Sequence, residues 1–514
     1  MVSLQFDTVA RDVGRIVRVL TLMPLISAVV AVVVGEFYAV PAFLVTALVT
    51  AAVGTAAARY FAGAPAPGKL HGMMTAAAAW AIVAVLGSLP FVLIAETIAA
   101  NPTVFSTPPL TETTESFRRP LHAVFESMSG FTSTGLTMAP VEEDLPRSLQ
   151  WWRSFIEWVG GVGVIVLTVA VLARPGSGSL TLYESEARSE KIHPSIVSTV
   201  QEIWKLYVGT TVAAVVLFLA AGMPPWDALN HALTAISTGG FSVHADSIGH
   251  YDNPVIEYAV IPVMVAGSIA FPVHYLIVKG EIRNVYEDLQ TRWVLGWFAL
   301  GSAILVAVLW TRGLYGSAEE TFRIGLFQFV SATSNAGFGT TTIGGGTEQV
   351  WTADATLFLC IGMLTGAAAG STVGGLKIIR VATLIKGVRW RIGGIFQPSS
   401  AVRKFDLGDR LLSEDQASKE IEEAAIVLVL WLTFLAIGIT VMFAILPTNT
   451  PTEYIIFDVV SAQSTVGLDA GVTGTDMPDA GKAMLVVNMW VGRLEIIPVL
   501  VLLRGAMSQF NLYN

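Results

Sequence analysis

Apolar residues run along this chain in stretches of about 20, the length a helix needs to cross roughly 30 Å of hydrocarbon. Such runs predict membrane helices at about 15 to 36, 38 to 61, 73 to 98, 152 to 173, 203 to 222, 255 to 278, 293 to 312, 354 to 380, 423 to 446 and 481 to 503. Residues 1 to 12 lack the basic region and small-residue cleavage site of a secretory signal, so the first run reads as a retained membrane helix. Between the later runs lie shorter amphipathic segments that end in polar and glycine clusters: FESMSGFTSTGLT at 125 to 137, LNHALTAISTGGFS at 229 to 242, FQFVSATSNAGFGTT at 327 to 341 and FDVVSAQSTVGLDA at 457 to 470.

These four segments read as one repeated unit when superposed on Gly135, Gly239, Gly337 and Gly467. Ten residues before the glycine stand Phe125, Leu229, Phe327 and Phe457, and nine before it the polar Glu126, Asn230, Gln328 and Asp458. The two residues before it are Ser133 and Thr134, Ser237 and Thr238, Asn335 and Ala336, and Thr465 and Val466. Four copies in one register indicate an internal repeat. The predicted fold is therefore all-α and polytopic: two leading helices in 1–70, then four pseudo-symmetric units of helix, half-helix, glycine loop and helix around a central path. The units span 71–196, 197–290, 291–415 and 416–514.

A half-helix of about 12 residues is too short to cross the bilayer, so it enters and turns back. Irregular backbone at that depth is tolerated only where protein buries it or where it lines water. The half-helix precedes its glycine loop, so it directs the negative end of its dipole at the membrane centre, which favours a cation. Glycine adopts positive φ at little cost, which lets successive carbonyls face an ion on the axis and replace its hydration shell. The hydroxyls of Ser133, Thr134, Ser237, Thr238 and Thr465 are candidate further ligands.

Composition and charge narrow the class. Of 514 residues, 53% are hydrophobic and 13% charged, about half the charged share of an ordinary soluble domain. A net charge of -9 with no basic surface argues against nucleic acid as a partner. The single cysteine, Cys360, cannot build a disulfide framework within the chain. With the amino terminus in the cytoplasm, Arg11, Arg15, Arg18, Lys69, Arg174, Arg188, Lys191, Lys279, Arg283 and the basic residues from Lys386 to Arg410 all fall inside, as the positive-inside rule requires. Asp246, Asp252, Glu319, Glu320, Asp469, Asp476 and Asp479 then fall outside, where they draw cations.

Thr465-Val466-Gly467 repeats the start of the potassium-channel filter signature. Together with the four glycine clusters, Trp158 to Gly163, Gly362 to Lys377 and Gly492-Arg493-Leu494-Glu495, it resembles the membrane subunit of Trk-type potassium uptake systems, within the Trk/Ktr/HKT superfamily. The two extra leading helices favour the Trk branch over Ktr. The resemblance implies K+ as the transported ion, a multi-pass protein of a prokaryotic plasma membrane, a homodimer with one pore per chain, and a cytoplasmic nucleotide-binding regulatory subunit. It also implies a filter with one glycine per unit, at Gly135, Gly239, Gly337 and Gly467, and Gly135 in place of serine argues for potassium over sodium. The third unit departs from the pattern, with Asn335-Ala336 where a hydroxyl pair is common.

Within the run at 354 to 380, residues 365–376 are almost all small and form a poor uninterrupted helix. The composition predicts a broken helix here, and the resemblance implies that it is an intramembrane gating loop, which carries Gly366, Gly370, Gly374 and Gly375, is closed by Lys377, and lies beside Arg493. Arg493 interrupts the last span, where a charge must face the path or find a partner, either Glu495 or loop carbonyls. Glu126 and Asp458 are expected to hold the glycine loops through backbone N–H groups. The charged stretch from Val388 to Glu422 suits a cytoplasmic surface for the regulatory partner.

Two other functions remain open on the residues alone. A sodium-coupled or other cation symporter with broken midplane helices requires inverted repeats, and four same-direction units argue against it. A polytopic membrane enzyme requires a nucleophile and base or a metal triad within the spans, and none is evident in the sequence.

Overall fold

The computed structural model describes residues 6–101, 103–163, 196–344, 351–398, 403–408 and 410–509. The far half of the run expected at 152 to 173, with Arg174, Arg188 and Lys191, lies outside the described residues. Six of the described helices are long and apolar enough to cross a membrane: Phe6–Val33, Val40–Tyr60, Leu70–Ala100, Val200–Ala220, Leu289–Arg312 and Glu414–Ile445. The chain is a polytopic helical membrane protein.

The two leading helices pack through small residues. A Cβ added to Gly14 would lie 2.7 Å from the Ala57 Cβ, and one on Gly54 would lie 2.8 Å from the Gly14 carbonyl oxygen, so the backbones meet as small-residue faces in membranes allow. Arg11, buried beside them, pairs with Asp12 at 2.9 Å and donates to the Pro65 carbonyl at 3.1 Å.

Two runs expected as continuous spans are bent, and a third breaks at the small-residue stretch where a break was expected. Residues 255–278 form Pro254–Ser268 and Phe271–Val278, bent by 108°, and the last span forms Asp479–Arg493 and Ile497–Ser508, bent by 112°. The run at 354 to 380 forms Ala353–Leu364, an irregular loop, and Ile378–Ile395. Breaking a helix within the membrane frees backbone donors and acceptors that need partners. At the first bend the loop supplies them: Ala368 N donates to Ser268 O at 3.2 Å, Thr372 N to Gly267 O at 3.4 Å, and Phe271 N to Gly370 O at 3.1 Å; at the second, Ile496 N donates to Val491 O at 3.2 Å and Ile497 N to Glu495 O at 2.8 Å. Hydropathy records composition and is blind to such a bend.

The helix Ile378–Ile395 leads to a small antiparallel hairpin, Phe405–Leu407 with Arg410–Leu412, in the charged stretch before Glu414–Ile445. Phe405, Leu407 and Leu412 pack against Leu289, so this stretch is partly folded rather than a plain linker.

Candidate functional site

Four half-helices, Pro120–Phe131, Pro225–Ile236, Ala318–Thr333 and Thr452–Ser464, end in the same backbone figure. Just past each end, one residue enters the left-handed region: Ser133 at φ 52°, Thr238 at 54°, Asn335 at 55° and Thr465 at 58°. Two residues later a glycine does so again: Gly135 at 94°, Gly240 at 83°, Gly337 at 69° and Gly467 at 97°. The intervening residue donates its N–H five residues back in all four copies, from Thr134 to Ser129 O at 2.8 Å, Gly239 to Thr234 O at 2.9 Å, Ala336 to Ser331 O at 3.0 Å and Val466 to Ser461 O at 2.9 Å.

The second copy therefore sits one residue away from its expected register: Gly240, not Gly239, matches Gly135, Gly337 and Gly467. Adjacent glycines left both alignments open to the eye. The structural register also lines up the hydroxyls of Ser129, Thr234, Ser331 and Ser461, and the buried Leu136, Phe241, Phe338 and Leu468. His231 replaces Asn230 as the counterpart of Glu126, Gln328 and Asp458.

The four turns close a cycle. A Cβ added to Gly240 would lie 2.5 Å from the Ala336 carbonyl oxygen. One on Gly337 would overlap the Val466 oxygen, one on Gly467 the Thr134 oxygen, and one on Gly135 the Gly239 oxygen, each closer still. Each glycine thus abuts the carbonyl that precedes the next glycine, and only a residue without a side chain fits. Ser133, Thr134, Ser237, Thr238, Asn335, Ala336, Thr465 and Val466 are all buried around this cycle.

The turns are braced from behind. Glu126 accepts from Met138 N at 2.7 Å, and Asp458 from Ala470 N and Thr473 N, both at 2.7 Å, which is the backbone-holding arrangement expected of these carboxylates. Arg153, unremarked in the sequence, pairs with Glu126 at 2.7 Å and donates to Ser242 O at 2.8 Å, joining the first two copies. Glu157, also fully buried, accepts from Phe241 N at 3.2 Å. Ser129 and Ser461 accept from the N–H groups of Gly135 and Gly467, each at 3.0 Å.

Following helices press glycines against the half-helix ends. A Cβ on Gly160 would overlap the Phe131 carbonyl oxygen and one on Gly492 the Gln463 oxygen, while one on Gly267 would lie 3.2 Å from Ile236 O and one on Gly362 2.9 Å from Thr333 Oγ1.

The polar side chains of the turns divide into two sets. Thr134 Oγ1 pairs with Thr132 Oγ1 at 2.7 Å, Ser133 donates to Glu157 O at 3.3 Å, Ser237 to Thr234 O at 3.1 Å and Thr238 to Ser237 O at 2.7 Å. Asn335 Nδ2 donates to Ser464 O, linking the third and fourth copies. Among the described residues, no hydrogen-bonding partner reaches the buried Asn335 Oδ1 or Thr465 Oγ1.

Residues 365–377 pass beneath the half-helix ends. Thr372 Oγ1 lies 3.0 Å from both Ile236 O and Gly267 O and 3.2 Å from Thr238 Oγ1. A Cβ on Gly374 would overlap Thr465 Oγ1, and one on Gly375 would lie 3.2 Å from Asn335 Nδ2. The loop thus touches the entry residue of three of the four turns. Ala369 N donates to Gln290 Oε1 at 2.8 Å, and Trp297 Nε1 to Thr365 Oγ1 at 2.6 Å. Gly366 packs against the returning backbone, where an added Cβ would lie 2.9 Å from Gly374 O.

Arg493 donates to Thr372 O at 2.9 Å, Gly160 O at 2.7 Å and Gly161 O at 3.3 Å, with its guanidinium 5.4 Å from the Trp80 ring centre. Of the two partners expected for it, loop carbonyls are found, whereas Glu495 pairs with Arg380. Lys377 donates to Val373 O, within its own loop.

On the opposite side of the turns, outside the spans, burial works against the His244 imidazolium, but hydrogen bonds to Asp227 and Glu143 hold its pKa above the ordinary histidine value. Burial likewise pushes the Glu142 carboxyl up to about 7, with Arg153 opposing.

Residues 89–512 match the family model described as TrkH, cation transport protein. The chain is 35% identical to an "uncharacterized cation transporter" of Methanocaldococcus jannaschii, covering 95% of this chain and 93% of that protein. It is 31% identical to the Trk system potassium uptake protein TrkH of Escherichia coli, covering 97% and 98%. The crystal structure of the potassium transporter TrkH from Vibrio parahaemolyticus superposes with a TM-score of 0.80 at 25% identity, covering 97% of this chain and 99% of that one. These relatives are named as transporters, not enzymes, and the chain belongs to the TrkH family of cation transport proteins.

Proposed function

We propose that this chain is the pore subunit of a potassium uptake system, conducting K+ between its four glycine turns. The carbonyl oxygens of Thr134, Gly239, Ala336 and Val466 ring the ion, and Gly135, Gly240, Gly337 and Gly467 allow the turns to close that tightly. What supports conduction most is the cycle of close approaches, in which each glycine meets the next copy's carbonyl. Four converging half-helix carboxyl ends add a field that favours a cation. Asn335 Oδ1 and Thr465 Oγ1 supply further oxygens at the inner entrance.

Residues 365–377 act as the gate, held shut by Thr372 against the second half-helix and by Arg493 against the Thr372 carbonyl. Arg493 places a positive charge beside the route of a cation. With the amino terminus cytoplasmic, loop and hairpin lie on the inner side, and the membrane potential drives entry at roughly 2.3 kcal/mol per charge per 100 mV. The relatives' place in a named Trk system supports further components, for which a second copy of the chain and a cytoplasmic nucleotide-binding subunit are our reading.

The test is uptake of 86Rb+ into liposomes holding the purified chain. Conduction predicts uptake that follows an imposed inside-negative potential and is competed by K+ far better than by Na+. Equal competition by Na+ would defeat the selectivity, and uptake that requires a Na+ gradient would favour a symporter.

A further inference from the structure

The segments that follow the first and second turns meet on the side away from the loop, and three side chains there bring metal-binding atoms together. Glu143 comes from the first segment, His244 and His250 from the second, and one donor atom of each lies within 4.8 Å of the others. His244 Nδ1 is 3.0 Å, and His250 Nδ1 4.0 Å, from the same Glu143 Oε1. Two donors bound to one tetrahedral Zn2+ at about 2.1 Å stand about 3.4 Å apart, between these two separations.

The surroundings resemble a prepared ligand set more than a chance surface pair. His244 Nε2 lies 3.0 Å from Asp227 Oδ2, and the same oxygen accepts from Tyr251 Oη at 2.8 Å. A carboxylate behind an imidazole fixes the tautomer and turns the other nitrogen's lone pair toward a metal. Glu143 is held in turn, since Ala245 N donates to both of its carboxylate oxygens at 3.2 Å. The two imidazoles are stacked, with centroids 3.6 Å apart and planes 4° from parallel. For both Nδ1 lone pairs to converge, His250 must rotate, and its side chain, 42% exposed, has solvent to turn into.

We propose that Glu143, His244 and His250 form a binding site for a transition-metal ion of the Zn2+ class, with Asp227 as the positioning carboxylate and water completing a four-coordinate shell. Two imidazoles and one carboxylate suit Zn2+, whereas Mg2+ and Ca2+ favour all-oxygen shells. The ion would tie the first copy's outer segment to the second. The second is already joined to the third, because Ser247 Oγ accepts from Gly339 N at 3.2 Å and Gly249 N donates to Gly339 O at 3.0 Å. Binding here does not depend on the conduction reading and would survive its failure.

Calorimetric titration of Zn2+ into the chelator-treated full chain tests the site. The wild type should bind one ion saturably, with affinity falling at least tenfold in His250→Ala and Glu143→Gln and about 10- to 100-fold in Asp227→Asn. Co2+ should give the strong visible absorption of a four-coordinate site in the wild type and lose it in His250→Ala. Thermal melting without metal checks that each variant folds, and His250, being exposed, is the safest substitution. Equal Zn2+ affinity in wild type and His250→Ala, or only the weak six-coordinate spectrum of Co2+, would overturn the proposal and leave His244 as an ion-paired histidine.

Discussion

Replacing Arg493 with alanine removes the guanidinium bonded to the Thr372 carbonyl, the bond by which this residue restrains the loop. A hydrogen bond to a charged group contributes about 1.5–3 kcal/mol. If that bond is broken when the loop leaves, its loss shifts the balance toward the open state by roughly tenfold to over a hundredfold, at about 1.4 kcal/mol per factor of ten. The bonds to Gly160 and Gly161 do not enter this difference, because neither belongs to the loop. The shift is an upper figure for flux, since Thr372 Oγ1, Ala368 N and Ala369 N still anchor the loop. The assay is initial 86Rb+ uptake into liposomes at fixed potential, normalised to inserted protein, for wild type, Arg493→Ala and Arg493→Lys. Lysine keeps the charge but lacks the planar fork that serves Thr372 and Gly160 together, so its flux should fall between the other two. Unchanged or lower uptake in Arg493→Ala, with normal insertion and melting, would refute the restraining role.

Other substitutions probe separate parts of the mechanism. Thr372→Val conserves shape but removes the hydroxyl between Ile236 O and Gly267 O, a loss of about 0.5–1.5 kcal/mol that should raise uptake a few-fold. Gly240→Ala places a methyl 2.5 Å from the Ala336 oxygen at φ +83° and should abolish most uptake while the chain still inserts; normal uptake would remove Gly240 from the ring. Gly135→Ser should weaken discrimination against Na+ in the competition assay, and an unaltered K+ to Na+ ratio would separate that glycine from selectivity. Glu126→Ala takes from the buried Arg153 its nearest carboxylate, with Glu142 left at 3.9 Å, and should cost up to about 3–5 kcal/mol, read as a fall in melting temperature.

Much of this architecture was legible because lipid imposes simple rules on length and polarity. The four half-helices stand where shortness and glycine clusters put them, and the small-residue stretch from Thr365 to Leu376 is irregular, as its composition required. The second copy slipped by one residue because Gly239 and Gly240 both satisfied the pattern at the glycine itself. The hydroxyl row of Ser129, Thr234, Ser331 and Ser461 would have decided it, since each side chain or its backbone oxygen supports the turn. The bends after Ser268 and Arg493 left no trace in hydropathy: at the first, a loop from another unit takes up the freed backbone groups, and at the second the N–H groups of Glu495, Ile496 and Ile497 bond back within the break. Nor did sequence distance suggest that Arg380 would claim Glu495, or that Arg493 would donate to Thr372 O, Gly160 O and Gly161 O. Arg153 and Glu157 sat inside an apolar run, where buried charges have no signal until the fold brings up Glu126 for the one and the Phe241 N–H of the second copy for the other.

Conduction requires an ion site inside the cycle of turns. Crystals of the chain grown in Rb+ or Tl+ and measured for anomalous scattering locate such a site without reference to flux. A conducting cycle predicts a peak on the common axis, at similar distances from the carbonyl oxygens of Thr134, Gly239, Ala336 and Val466. Anomalous density confined to other places, with the cycle intact and empty at saturating ion, would contradict it.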